Sequence, residues 1–489
     1  MALTLSPAAC TQRASSPRET AAPEPSAAAA PAIAPPAPEP APPKPEARAP
    51  EEVYATWLRG KLPEGGEVVT TPGAPPRVVH RARGTETPWS LARAYLDLAT
   101  VYTPQDYERA IVAANPALRS GQARAGQEIV IPHLVTEPFE TGEKTRLGWP
   151  EDKVLKGVFL RNDYGAKFPP LLDKLAARGM NAVVLDGKDY EGYITYPTKV
   201  PLAVEMKADK NAPMFNLARV VRWAHAKGIR VVMRNSCFHD PWTAKQRPDL
   251  SVQSKWGKPY PLQWVDPSNE TVQAYILEVI KEQIAAGVDE IQLDYIRYPV
   301  QGIQGADFHL EERGLTQTVV IRDFVRRVHA LTQEHGLPLS LDIFGIVAFN
   351  RPEDVNPLGQ DVKVLAQECE ALSPMLYPSH FAPGSHGYAE PGDHPELIGV
   401  GTKAMVELLR KAGIATPIRP WLQAFPLKSP SYGPKYIADE ARSAEAAGGT
   451  GWLLWHPGGD YATSFRAFPP VAKAPLAPVV ATAGPRATH

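Results

Sequence analysis

Two aspartates carry the chemistry that this sequence offers most openly. Asp294 lies in DEIQLDYIRYP and Asp342 in LSLDIFG, each at the end of a short, apolar, β-rich run. Carboxyl groups on neighbouring strands can flank one glycosidic bond, one protonating the departing oxygen while the other attacks the anomeric carbon or activates water. That division of labour needs surroundings that push the two acidities apart. Arg297, three residues after Asp294, is placed in the chain to hold a carboxylate ionised and oriented. The plainer role for either aspartate is to fix Arg234, Arg297 or a loop amide.

Further polar and aromatic residues stand at the ends of similar runs. Asp186, followed by Gly187, Lys188 and Asp189, is a third acid, suited either to substrate hydroxyls or to a salt bridge with Lys188. Arg161 and Asn162, Arg234 and Asn235, Tyr377 and His380, Gln423, and Trp455 with His456 complete the set. Aromatic faces mixed with hydrogen-bonding groups suit a carbohydrate. Each also has a packing role open to it: Trp421 and Trp452 can wedge between strands and helices, and His225 and His329 fit a helix surface. The aromatic stretch from Cys237 to Asn269 contains Trp242, Trp256 and Trp264, and long loops of this content commonly build binding clefts.

The elements that must position these residues are legible as an alternation. KGVFLRN from 156, NAVVLDGKD from 181, IRVVMRNS from 229, EIQLDYIRYP from 290, LSLDIFG from 339, LSPMLYPS from 372, PIRPWLQAF from 417 and TGWLLWHPG from 450 read as strands. Amphipathic runs such as LARVVRWAHAKGI and VVIRDFVRRVHALTQEHG separate them, several ending at glycine. Eight strands alternating with helices predict an α/β chain closed as a (β/α)₈ TIM barrel over residues 153–467, with an open doubly wound sheet as the competing fold. In such a barrel the chemistry belongs at the C-terminal strand ends, where these residues stand.

The rest of the chain narrows the function. A formal net charge of −1 leaves no electrostatic footprint for nucleic acid, so a neutral, polyhydroxylated partner fits better. Three cysteines, Cys10, Cys237 and Cys369, form no disulfide framework and no metal spacing, and nothing calls for a cofactor. The 53 prolines concentrate in the terminal stretches, so 1–76 reads as a disordered tether and 468–489 as a disordered tail. Ala8-Ala9-Cys10 has the small-residue pattern of a lipoprotein cleavage site. With a start upstream of Met1, Cys10 would be lipidated and the protein held at the cell envelope; otherwise it is secreted.

Residues 77–133 form a compact unit that reads strand, helix, helix, strand, followed by a linker over 134–152. Gly84, Thr85, Trp89, Ser90, Asn115, Pro116, Gly126, Ile129, Ile131 and Pro132 give it a pattern that resembles the LysM module, with Glu86-Thr87-Pro88 as the departure. The resemblance implies a βααβ domain that binds peptidoglycan or another N-acetylglucosamine-containing glycan, with Gly84, Thr85, Asn115 and Pro116 at its ligand loops.

Over roughly 153–465 the chain resembles the bacterial "putative glycosyl hydrolase" barrel family, on KGVFL, NAVVLDGKD, DEIQLDYIRYP and SLDIFG. That family is regarded as distantly similar to α-amylase-type barrels, and the resemblance implies Asp294 as nucleophile and Asp342 as proton donor. The chain departs from that pattern in having Asp rather than Glu on strand five, and Gln423 where strand seven carries a further Asp. It lacks a chitinase-type D-x-D-x-E ending, a cellulase-type Asn-Glu pair, an amidohydrolase His-x-His, a G-x-S-x-G elbow and a Walker loop. The expectation is an exported glycoside hydrolase acting on a polysaccharide. The alternative is a glycan-binding or envelope scaffold protein on a hydrolase-like barrel.

Overall fold

The structure, a computed structural model, describes residues 49–161 and 165–471. Cys10, Asn162 and most of the two terminal stretches lie outside the described residues.

The small N-terminal domain is larger than its sequence pattern. Residues 50–76, expected in the tether, instead supply α1 (Pro50–Arg59) and β1 (Gly66–Thr71). β1 pairs antiparallel with β2 (Ala74–Arg81), and after α2 (Pro88–Tyr95) and α3 (Pro104–Ala114) the strand β3 (Glu128–Ile131) pairs with the other edge of β2. The unit is therefore a three-stranded sheet with its helices, not a two-stranded βααβ. The reason the flank folds is packing: Tyr54 and Leu58, one helical turn apart, bury into the same core as Leu91, Tyr95, Tyr107 and Ile129. Thr87 caps α2 in a reciprocal box with Ser90, and Pro88 takes the first turn, where a missing N–H costs nothing.

The domain is fastened to the next one. Arg219, almost fully buried, donates to the carbonyls of Val101 at 2.5 Å and Tyr102 at 3.4 Å, while the Tyr102 ring packs between Phe168 and Trp223. The 134–152 linker is also docked. Leu147 N–H bonds Asp289 at 2.6 Å, and the Trp149 indole donates to Glu290 Oε2 at 2.6 Å.

Beyond the linker, eight parallel strands close into a barrel: β4 (Leu155–Leu160), β5 (Ala182–Lys188), β6 (Arg230–Ser236), β7 (Glu290–Asp294), β8 (Leu339–Phe344), β9 (Ala371–Met375), β10 (Trp421–Gln423) and β11 (Gly451–Trp455). Each strand pairs with its neighbour in sequence, and β11 returns to β4. The closed ring excludes the open sheet. The crossovers include α4 (Phe168–Ala176), α5 (Leu217–His225), α6 (Glu270–Ala286) and α7 (Gln317–Glu334), which bury their apolar faces on the strands. Coverage on both faces explains why β5 is buried at every position. The predicted tail starts late, since Phe468 stacks on the Trp452 ring.

The two-residue period of a strand sorts the barrel interior into layers. Glu290 on β7, Ser340 on β8 and Arg419 just before β10 form a buried ionic layer near the N-terminal end, where Arg419 and Ser340 both bond the Glu290 carboxylate. Asp294, Asp342 and Trp421 stand four, two and two residues further along those segments, at the C-terminal mouth.

Candidate active site at the barrel mouth

Arg234 organises the mouth. On β6 it shares a strand face with Val232 and Ser236, which turns its side chain inward. Nη1 donates to Asp186, while Nε and Nη2 donate to Asp294 Oδ2 at 3.0 and 2.6 Å. Nε also lies 3.6 Å from Asp342 Oδ2. Burial works against the guanidinium charge, but Asp186, Asp294 and Asp342 outweigh it and hold the group well above its ordinary value.

The three acids have different surroundings. Asp294 accepts from Arg234 twice and, through Oδ1, from the Tyr295 N–H at 2.6 Å. Tyr295 has φ +50, and this left-handed residue ends β7 and turns its N–H back on the carboxylate. Asp342 accepts from the Trp421 indole at 2.6 Å through Oδ1, whereas its buried Oδ2 has no hydrogen-bond partner among the described residues. Burial first, and the charge of Asp294 second, push the Asp342 carboxyl well above the usual carboxylate range. Asp186 is pushed up to about 6 by burial, against the opposing pull of Arg234.

A cavity of about 210 Å³ opens over this cluster. Arg234, Asp294 and Asp342 reach it, and Tyr295, Phe344, Met375, Tyr377, Trp421 and Trp455 supply carbon and ring surface. Tyr377 packs against Trp455, Phe425 and His380, with ring centroids 5.3–5.7 Å apart. The site is one charged corner in an aromatic box.

Several sequence-based expectations change. Arg297 does not clamp a carboxylate; it donates to the Tyr298 carbonyl at 3.2 Å and lies over the rings of Trp264, Phe344 and Tyr295, while Arg234 has the clamping role. Asn235 is adjacent to Arg234 in sequence and therefore on the opposite strand face, where its amide exchanges hydrogen bonds with Gln283 of α6 at 2.8 and 2.7 Å. Gln423 is fully buried and spends its amide on Ser379 N–H, the Phe425 carbonyl and Ser429 Oγ, tying two loops together. Neither amide faces the cavity. The salt bridge considered for Asp186 and Lys188 is not formed: Asp186 takes Arg234, and the buried Lys188 takes Asp240 at 2.7 Å.

Other residues keep to the rim. Arg161 lies over the Tyr190 ring and bonds its hydroxyl at 3.2 Å, with much of its side chain exposed. His380 borders the cavity. Of the three loop tryptophans only Trp264 approaches the site, through Arg297; Trp242 packs on Tyr193, and Trp256 is 63% exposed. Trp421, for which the sequence leaves open a packing role between strands and helices, lines the cavity and bonds Asp342. Its signal was the alternation Arg419, Trp421, Gln423 along one strand face. Phe344 and Met375, which continue β8 and β9 into the mouth, carried no such signal. Burial pushes the Cys237 thiol up, away from reactivity.

In the small domain, Glu86 fills the loop at which a glycan was expected. Its carboxylate accepts from the N–H groups of Arg83, Gly84 and Thr85 at 3.0–3.1 Å, and these bonds outweigh burial to hold it down at about 2. Asn115 is structural: its amide bonds both the N–H and the carbonyl of Val130 at 2.8 Å, locking β3 to α3. Pro116 is exposed beside it.

A closed parallel barrel carries its chemistry at the C-terminal mouth, where this acidic and aromatic cluster lies. The chain belongs to the family described as "Putative glycosyl hydrolase domain", which matches residues 160–461. No curated protein matches it. Among solved structures it is similar to a hypothetical protein from Ruminiclostridium thermocellum ATCC 27405, at 31% identity over 38% of this chain and 96% of that one, with a TM-score of 0.35. It is also similar to the catalytic domain of β-amylase from Paenibacillus polymyxa, at 12% identity over 65% of this chain and 98% of that one, with a TM-score of 0.43. A third similarity is to the spore cortex-lytic enzyme SleL of Bacillus megaterium QM B1551, at 11% identity over 78% and 83%, with a TM-score of 0.36.

Proposed function

We propose that the barrel hydrolyses an O-glycosidic bond of a polysaccharide, with Asp294 as nucleophile and Asp342 as proton donor. The observation that carries this reading is the asymmetry of the two acids around Arg234. Asp294 holds the guanidinium bonds, whereas Asp342 sits 3.6 Å off and keeps one oxygen unbonded. Opposite environments of this kind divide a carboxyl pair into base and acid. Because both facing oxygens lie close to one nitrogen, they are at most about 6.6 Å apart, a limit that accommodates the spacing of about 5–5.5 Å of retaining enzymes and leaves little room for the wider inverting one.

In the first step a bond forms between an Asp294 oxygen and the anomeric carbon. The bond to the leaving oxygen breaks, and that oxygen takes the Asp342 proton. Water then gives its proton to Asp342 and its oxygen to the anomeric carbon, releasing Asp294. Asp294→Asn and Asp342→Asn are each expected to abolish release of reducing ends from an envelope or exopolysaccharide preparation while unfolding as the parent does. Unchanged release in both variants would remove these acids from the mechanism.

A second reading, a barrel that binds glycan without turnover, is favoured by the saturation of Arg234 by Asp186 and Asp294 in a buried network. It predicts retained glycan binding and no reducing ends from the parent protein.

The small domain is assigned to retention on an N-acetylglucosamine-containing glycan such as peptidoglycan, on the strength of its LysM-like pattern, and the Ala8-Ala9-Cys10 sequence supports an envelope location. Removing the small domain is expected to reduce retention on insoluble peptidoglycan while leaving hydrolysis of a soluble oligosaccharide nearly unchanged. Equal retention would make the domain a spacer.

A further inference from the structure

The cavity at Asp294 and Asp342 adjoins a larger one of about 440 Å³, and the two share Phe344, Met375 and His380. The second cavity is built by the segments that follow β8 and β9, so its wall begins two residues beyond Asp342 on the same strand. Its volume falls in the range of small-molecule sites.

The wall of this cavity offers rings rather than charge. Phe349 lies 4.0 Å from the His386 ring and 6.3 Å, edge to face, from Phe381. Arg351 borders the space, but its guanidinium is tied to Asp354 at 2.6 Å and lies 3.9 Å from Glu353. Burial and then the neighbouring Arg351 hold the His386 imidazole below its ordinary value, which favours the uncharged ring. Ring surfaces of this kind contact the carbon faces of flat or pyranose rings.

A proton donor must touch the leaving oxygen, so the body of the leaving group extends to the donor's side of the broken bond. We infer that the cavity walled by Phe349, Phe381 and His386 is the leaving-group subsite, and that it takes a ring with a carbon face, either a pyranose or an aryl group. The inference rests on Asp342 being the proton donor.

Glycosyl fluorides provide the test, because fluoride leaves without a body to fill the subsite. The probes are 4-nitrophenyl glycosides of glucose, galactose and N-acetylglucosamine in both anomeric forms, each paired with the fluoride of the same sugar. Phe349→Ala and Phe381→Ala are expected to lower the ratio of aryl-glycoside to fluoride kcat/KM on the order of tenfold. Phe349→Tyr keeps the ring and is expected to keep the ratio, which separates loss of the subsite from a folding defect. Asp294→Asn is expected to abolish turnover of both probes. If both phenylalanine variants lower the two probes equally, the subsite is wrong and the catalytic reading stands. If no pair is turned over, or turnover survives Asp294→Asn, the catalytic reading fails and the subsite with it.

Discussion

Arg234 Nε lies 3.0 Å from Asp294 Oδ2 and 3.6 Å from Asp342 Oδ2, so one guanidinium from β6 stands between acids of β7 and β8. The same side chain reaches Asp186 on β5. Four consecutive strands therefore converge on one buried cation, and the positions of all three carboxylates depend on it.

Lysine cannot replace that fork. Arg234→Lys keeps the charge but loses the planar donor set that serves Asp186 and Asp294 together. The expected outcome is a fall in kcat on the order of a hundredfold or more, with a lowered unfolding midpoint. Steady-state kinetics beside thermal unfolding check it, and a wild-type kcat would show that the shared cation does not position the acids.

The pH profile should have two limbs with different owners. Asp342 acts as acid only while protonated, and burial together with Asp294 pushes its carboxyl up, so kcat/KM declines on the alkaline side as that proton is lost. On the acid side, Asp186 gains a proton as pH falls through about 6 and ceases to neutralise Arg234. Asp186→Asn is expected to remove an acid limb near that pH. An acid limb that Asp186→Asn leaves in place assigns it to another group.

The ionic layer beneath the mouth is a stability element. Glu290, Arg419 and Ser340 are fully buried, and Glu290 holds Arg419, Ser340 and the half-buried Trp149 indole. Glu290→Ala leaves the Arg419 cation buried without its partner and is expected to cost about 3–5 kcal/mol in chemical denaturation. Pairing it with Arg419→Met, which removes the stranded charge, should restore much of the loss.

Local patterns were enough for the eight-fold alternation of strands and helices. Eight β-rich runs separated by amphipathic ones specify a parallel sheet covered on both faces and place Asp294 and Asp342 at strand ends, while the pairing of β11 with β4 closes that sheet into a ring. Patterns were weaker where few apolar residues act together. Tyr54 and Leu58 sit in a Pro- and Glu-rich flank that looks like tether, and only their burial against α2 and α3 makes α1 part of the small domain.

The site itself was partly legible. Residue types at strand ends are a property of the sequence, so Asp186, Arg234, Asp294 and Asp342 could all be named from it. Which way each side chain points, and what it meets there, is not. Asn235 turns outward because strand faces alternate, Gln423 is consumed by two loops, Arg297 is drawn into an aromatic stack, and Trp421 turns inward to bond Asp342. The sequence by itself determined eight alternating strands and helices and the residue types at the strand ends, because both follow from local periodicity. The tertiary structure decided that the sheet closes, that Arg234 is shared by three acids and that one Asp342 oxygen has no hydrogen-bond partner among the described residues, because partners up to 108 residues apart in the chain meet only when the strands close into a ring.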